Sequence, residues 1–318
     1  MPDIPVNEKT PRLMRIPLDV IDFDDRRFKI SRDRVDDDLR SSIRSFGLLD
    51  PPVGIREGDR FRVLFGFNRL DVLRETGEEA VDMLVAPAVD AGLFCERALI
   101  KCFRNECGPI GRTRALAILK DLGVEKGRLM RIARIGMHVP EELATDDGLS
   151  AAVLGLPGPV KSYLDQRDIQ FRTIRDLVRL PRAALDAISS WLAFAPLRVN
   201  IFRFIIDMLS DIQTRDGNVD FVDLIRPGDS DDRKQWEERL FEAVRIKRYP
   251  EYVSMKKRAD EIAGYFAARG IQVDYPSFFE GDGLDLKVRL NKREDPESVR
   301  KKIGAPDLSK LKELLDLL

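Results

Sequence analysis

Apolar positions recur along this chain in two rhythms, and the switches between them mark its elements. Residues 1–12 are polar and hold three prolines, which predicts a loose arm. Ile16–Ile21 predicts a short strand. Val35, Leu39, Ile43 and Phe46 recur at three- and four-residue intervals, the repeat of one helical face, with Ser31 or Asp33 placed to cap it. Gly47 stands where a helix ends, and Pro51-Pro52 forbid continuation. Val53-Gly54-Ile55 and Phe61–Phe65 flank the turn Glu57-Gly58-Asp59, a predicted hairpin. The second strand runs through Gly66 into a helix that continues to Glu75 and stops at Gly77. Val81–Val85 closes the region as another strand.

Beyond residue 90 the rhythm becomes helical. Residues 91–123 are predicted mostly helical, with Leu93, Phe94, Ala98, Leu99, Cys102 and Phe103 as a wide apolar stripe. Trp191–Met208 predicts a buried helix interrupted or started near Pro196. Residues 214–232 carry Gly217, Pro227, Gly228 and a cluster of acids, as an exposed linker does. Met255, Ile262 and Phe266 form a helical stripe ending at Gly270. Ile271–Tyr275 and Leu284–Leu290 then alternate at period two, as half-buried strands do. Pro296 starts another helix, and Leu308, Leu311, Leu314, Leu315 and Leu318 make a final leucine face that either caps this unit or meets a second copy. The class is α+β: a small mixed-sheet domain over 1–90, a helical domain over 91–213, a linker over 214–232 and a small α/β unit over 233–318.

Composition narrows the function. Of 318 residues, 43% are hydrophobic, enough for a sizeable core. The net charge of -1 excludes a histone-like or tail-driven nucleic-acid binder, so any nucleic-acid face has to be a local patch on a neutral body. Cys95, Cys102 and Cys107 have neither disulfide-framework numbers nor metal-site spacing, and His138, the single histidine, suits a cap or surface position. The expectation is reduced thiols in a cytoplasmic protein with no metal ligands of this kind. No secretory h-region and no membrane-spanning apolar run is present, so no membrane partner is expected.

The most informative place is Gly66-Phe67-Asn68-Arg69-Leu70. A strand, a glycine and a helix start leave backbone N–H groups free to face an anion, and Arg69 in the first turn adds a charge suited to a bidentate phosphate contact. The same pattern also describes an ordinary turn. A second feature is basic. Between Arg112 and Arg134 stand seven Lys or Arg against Asp121 and Glu125, and Arg128, Arg131 and Arg134 are three apart on one predicted helix face. Such a face suits a DNA backbone, or it is a solvated face paired with acids elsewhere. Between Arg245 and Arg258, six basic residues interleave with Tyr249 and Tyr252, which suits single-stranded nucleic acid or a helix whose lysine stems cover apolar neighbours.

The order of these parts resembles the ParB/sulfiredoxin superfamily. "SIRSFGLLDPP", the hairpin, "FRVLFGFNRLDVLRETG" and a closing strand are similar to the ParB N-terminal domain. "ERALIKCFRNECGPIGRTRALAILKDLGV" is similar to the stretch carrying the ENxxR motif, and "LGLPGPVKSYLDQRDIQFRTIRDLVRLP" to the helices that follow. The resemblance covers about residues 15–190. It implies a CTP or other nucleotide pocket, DNA as partner and a homodimer formed through the C-terminal region.

The motifs are altered. GERR becomes Gly66-Phe67-Asn68-Arg69. Lys101 and Cys102 stand where the ENxxR acid and amide place Mg²⁺, Asn105 fills the arginine slot, and Arg104 lies one place early. Lysine cannot ligate a hard cation but neutralises phosphate directly. The resemblance therefore implies either metal-free nucleotide binding or its loss. Sulfiredoxin chemistry fails because Phe67 occupies the reactive-cysteine position. Where a recognition helix belongs, Glu141, Glu142, Asp146 and Asp147 would face DNA phosphates, which disfavours operator reading by this unit.

Three readings follow. The first is a ParB-like DNA-associated protein with a partition, regulatory or mobile-element role and weak or no CTP hydrolysis. Gly66, Asn68, Arg69, Lys101 and Arg104 would hold nucleotide phosphate, and Arg128, Arg131 and Arg134 would track DNA. The second is a metal-dependent nuclease, nucleotidase or phosphoryl-transfer enzyme using Asp71, Glu75 and Glu96 in the same pocket. The third is a non-catalytic scaffold that has lost its ligand.

Overall fold

The structure, a computed structural model, describes residues 10–32, 37–217, 232–276, 279, 283–288, 297, 300, 304 and 307–317. Contacts group the chain into two units, Met1–Arg233 and Lys234–Leu318.

The first unit opens on a five-stranded mixed sheet. β1 (Arg12–Pro17) and β2 (Ile21–Asp22) are separated by a 3-10 turn at Leu18–Val20. The single strand expected over Ile16–Ile21 is therefore broken, and its halves join opposite edges of the sheet. Leu18 marks the break: its N–H bonds the Glu79 carbonyl at 2.9 Å and its side chain is buried. α1 (Asp37–Phe46) ends at Gly47, as its apolar spacing predicts, while its proposed cap Asp33 and its first apolar position, Val35, lie outside the described residues. β3 (Val53–Glu57) and β4 (Arg60–Phe65) form the hairpin, followed by α2 (Phe67–Glu75) and β5 (Ala80–Ala86). The strand order is β1-β5-β3-β4-β2, with β1/β5 and β3/β4 antiparallel and β5/β3 and β4/β2 parallel. β5 shows the period-two logic: Val81 and Met83 are buried while Asp82 between them faces solvent.

The helical part begins with α3 (Ala91–Phe103) and α4 (Pro109–Asp121). The continuous helical stretch expected over 91–123 is interrupted between them. Asn105 adopts φ 56°, the Asn105 and Glu106 N–H groups return to the Cys102 and Lys101 carbonyls, and Pro109 restarts a helix where its missing N–H costs nothing. α5 (Lys126–Arg131) gives way to a π turn at Ile132–Gly136, so the helix expected to carry Arg128, Arg131 and Arg134 together is not regular to its end.

α6 (Glu142–Thr145), α7 (Asp147–Leu154), α8 (Gly158–Gln166), α9 (Phe171–Val178), α10 (Arg182–Phe194) and α11 (Val199–Asp216) complete the unit. The Pro196 interruption falls between α10 and α11. There the buried Tyr163 hydroxyl donates to the Leu197 carbonyl at 2.8 Å, giving the broken backbone a partner. Most of the linker expected over 214–232 lies outside the described residues.

In the second unit, α12 (Arg233–Arg248) and α13 (Pro250–Ala267) precede a hairpin of β6 (Ile271–Asp274) and β7 (Asp285–Val288) and a last helix, α14 (Ser309–Leu315). Ala259, Ile262, Phe266, Ile271, Val273, Phe279 and Leu314 form its core. Leu314 and Leu311 thus cap the unit, while Leu308 and Leu315 stay exposed. The helix expected from Pro296 and the end of the leucine face at Leu318 fall outside the described residues.

Candidate phosphate-binding cavity

A cavity of about 680 Å³ opens where α2 begins, bounded by α1, the loop from Gly47 to Asp50, the end of α3 and the turn after it. Gly66, Asn68, Arg69, Lys101 and Arg104, the five residues singled out as phosphate ligands, all line it. The helix start is built by Gly66, which caps α2 in the left-handed region at φ 99° with no side-chain cap. A Cβ there would lie 2.7 Å from Pro52 Cβ and 2.9 Å from its Cα, so backbone conformation and space both require glycine. No side chain caps the first-turn N–H groups of α2, and Gly66, Phe67, Asn68 and Arg69 all line the cavity. Phe67 is buried, with the Arg26 guanidinium 5.8 Å from its ring centroid, and Asn68 donates to the Arg32 carbonyl at 3.2 Å.

Most of the cavity's charges are paired. Arg69 Nη1 lies 2.7 Å from Asp50 Oδ2 and also bonds the Asp50 carbonyl. Arg97 Nη1 approaches the other carboxylate oxygen of Asp50 at 3.8 Å. Lys101 Nζ is 2.7 Å from Glu106 Oε2. Arg104 is exposed and has no ion-pair partner among the described residues. Arg32 lines the wall, 3.5 Å from Asn105 Oδ1 and 3.8 Å from Asp168 Oδ1, with its Nε buried and unbonded among the described residues.

Sequence reasoning missed Arg32, Arg97 and Asp50. Arg97 had a signal: with Lys101 and Arg104 it is spaced four and three along α3, one face of that helix. Arg32 had none, because its place depends on contacts 73 residues away.

The acids named for a metal centre lie elsewhere. Both Asp71 oxygens accept from Arg26, at 2.9 and 2.7 Å. Glu75 accepts from Arg40 at 3.1 Å, and Glu96 is exposed on α3. None of the three lines the cavity.

The three cysteines are buried free thiols. Burial pushes Cys95 up; its interaction with Cys102, then burial, pushes Cys107 up; and Cys102 is held below the usual thiol value chiefly by that same interaction.

Of the proposed DNA contacts, Arg128, Arg131 and Arg134 are all exposed. Arg128 and Arg131 form no ion pair with a described residue, whereas Arg134 lies 3.1 Å from Glu141. Glu125 caps α5 through the Gly127 and Arg128 N–H groups at 2.8 and 3.1 Å, which holds its carboxyl below the usual range.

The acidic segment that follows folds as the four-residue α6, and its carboxylates have internal partners. Glu142 meets Arg175 at 3.6 Å, Asp146 caps α7 through the Leu149 N–H at 3.0 Å, and Asp147 pairs with Lys120. His138 is exposed at φ 52°. In the second unit Arg245 pairs with Glu242 and Arg258 with Glu261 and Glu313, and Arg248 lies 4.8 Å over the Tyr249 ring, which fits the ordinary-helix reading of that basic stretch. No helix among the described residues is long and apolar enough to cross a membrane.

No protein-family model and no curated protein matches this chain. Solved structures do. The chain is similar to C-terminally truncated chromosome-partitioning protein ParB from Caulobacter crescentus complexed with CTP-gamma-S, at 15% identity and TM-score 0.25, covering 57% of this chain and 99% of that one. It is similar to the same protein complexed to the centromeric parS site, at 14% identity and TM-score 0.30, covering 61% and 98%. It is also similar to a Pnob8-like ParB-N domain, at 14% identity and TM-score 0.37, covering 78% and 97%.

Proposed function

We propose that this chain is a ParB-like, DNA-associated protein that holds a nucleotide, CTP or another, by its phosphates in the cavity at the start of α2. The observation that carries the reading is the convergence there of an uncapped helix start at Gly66 with Arg32, Arg69, Lys101 and Arg104, all lining a single 680 Å³ cavity. Donors and cations aimed at one space are what a phosphate chain requires. Lys101 acts as a direct cation, so the proposed binding does not depend on Mg²⁺. DNA contact falls to the exposed Arg128 and Arg131 and is of the backbone-tracking kind. Self-association through the second unit belongs to the same reading.

The test is calorimetry and thermal shift of the full chain with CTP and the other nucleoside triphosphates, with and without Mg²⁺, repeated on Arg69→Ala. Binding that survives without Mg²⁺ and weakens at least about tenfold in the variant supports the reading. No response to any nucleotide at millimolar concentration, in the unaltered chain and in Asp50→Asn alike, refutes it and leaves the scaffold reading. The metal-dependent hydrolase reading has less support: Asp71 accepts from Arg26, Glu75 from Arg40, Glu96 is exposed on α3, and none of the three lines the cavity.

A further inference from the structure

The cavity proposed for phosphate already contains an anion of the protein's own. Asp50 projects from the loop between α1 and β3 with one carboxylate oxygen 2.7 Å from Arg69 and the other 3.8 Å from Arg97. Arg97 Nε is buried with no hydrogen-bond partner among the described residues, so this guanidinium carries donor capacity that Asp50 does not use. The same Arg69 Nη1 also donates to the Asp50 backbone carbonyl. The carboxylate can therefore swing away while Arg69 and the loop remain joined. The Asp50 side chain is 49% exposed, which gives it solvent to move into.

A carboxylate seated between two guanidinium groups is what a phosphoryl group would look like to them, with one negative charge and two acceptor oxygens. A phosphate ester offers more charge and a third oxygen. It wins the seat only if that surplus exceeds what Asp50 supplies from within the chain at no cost in association entropy.

We infer that Asp50 is a built-in competitor for the anion seat between Arg69 and Arg97. It sets the threshold of charge a ligand must carry and so selects di- and triphosphate chains over monoanions. Arg97, which meets Asp50 without itself lining the cavity, is accordingly the second cation a phosphate gains when the carboxylate moves. The inference rests on reading the cavity as a phosphate site, and it deepens that reading by naming what the ligand has to displace.

The experiment titrates the full-length chain with CTP and with inorganic pyrophosphate by calorimetry. It compares the unaltered chain with Asp50→Asn, Asp50→Glu, Arg97→Ala and the Asp50→Asn/Arg97→Ala double variant, each checked for an unchanged unfolding midpoint. Asparagine keeps the size and hydrogen bonds of Asp50 but removes its charge. Asp50→Asn is expected to bind both probes about tenfold more tightly, Arg97→Ala about tenfold more weakly, and Asp50→Glu, which keeps a competing carboxylate, within about threefold of the unaltered chain.

In the double variant, the gain from removing the Asp50 charge is expected to shrink below about threefold, because half of the contested seat is gone. Four results overturn the inference while leaving the phosphate reading intact: Asp50→Asn binding no tighter than the unaltered chain, a gain in Asp50→Glu equal to that of Asp50→Asn, an undiminished gain in the double variant, or Arg97→Ala binding as tightly as the unaltered chain. Binding by Asp50→Asn alone supports the inference. Binding by neither Asp50→Asn nor the unaltered chain overturns both.

Discussion

Replacing Asp165 by asparagine isolates a buried-charge effect in the first unit. Asp165 sits on α8, and its Oδ1 accepts from the Ile110 N–H at 2.7 Å and the Gly111 N–H at 3.4 Å, capping α4 from outside that helix. Gly108, the residue before α4, has no room for a Cβ against Asp165, so the approach is close. The two N–H bonds and the cations Arg114 and Arg32 favour the carboxylate, but burial outweighs them and pushes the group up to about 6 from 3.8.

The folded protein therefore holds this proton more tightly than the unfolded chain. The stabilisation it brings is complete below about pH 4 and is lost as pH rises through about 6. A shift of about two units corresponds to about 3 kcal/mol, and solvent reaching the partly exposed carboxylate lowers the expectation to about 1–3 kcal/mol. Asparagine cannot ionise, yet its Oδ1 accepts the same two bonds. At pH 7 Asp165→Asn should exceed the unaltered chain in stability by about 1–3 kcal/mol, and the difference should vanish near pH 4. Asp165→Ala, which strands two α4 donors, should lose about 1–3 kcal/mol at pH 7 relative to Asp165→Asn.

Urea unfolding read by Trp191 fluorescence in a Trp236→Phe background measures all three from pH 4 to 7.5, because Trp191 lies in the same unit as Asp165. Carboxyl NMR locates the titration directly. A midpoint at or below about 4, or a difference between Asp165→Asn and the unaltered chain that is constant with pH, refutes the reasoning.

Other consequences are as direct. Gly66→Ala should cost about 2–3 kcal/mol in urea unfolding, from the left-handed backbone and the collision with Pro52; a cost under about 0.5 kcal/mol would contradict the geometry. Arg128→Ala/Arg131→Ala should weaken binding to duplexes of unrelated sequence alike and lower the slope of log affinity against log salt by about 2, measured by fluorescence anisotropy; an unchanged slope removes these two residues from the DNA face.

The elements that were legible in the sequence are those whose signal is local. Gly47, Gly58, Gly66 and Gly77 all take positive φ at the ends and turns where the sequence predicts them. The hairpin, α2 and β5 follow from that punctuation and from alternation. Where the expectation fails, a longer-range contact decides. The strand expected over Ile16–Ile21 breaks because Leu18 is claimed by Glu79 and because Ile21 pairs with Phe61, on the far edge from Ile16, which pairs with Val81. The helix expected over 91–123 breaks at Asn105, which adopts the left-handed conformation that asparagine tolerates better than most residues. A break there was readable from Gly108-Pro109, but its exact place was not.

The candidate site divides in the same way, and the division bears on what the site is. Most of its donors, Arg32 excepted, are local features: a glycine before a helix, an arginine in the first turn, and basic residues at spacings of four and three. Its acids are not. Asp50 and Glu106 look like ordinary loop residues until the fold sets them against Arg69, Arg97 and Lys101. A cavity that served only as packing would have no reason to gather four cations around a helix start without a side-chain cap and then set partly exposed acids, Asp50, Glu106 and Asp168, against three of them. Apolar side chains fill such a space with less desolvation cost. Cations held near neutrality by displaceable carboxylates keep their desolvation penalty low while the site is empty and remain available to a more highly charged ligand. Under the proposed function Lys101, Arg104, Arg69 and Arg32 would meet phosphate by direct cation contacts, and the affinity gain in Asp50→Asn is the measurement that tests whether the carboxylates are displaced by a ligand.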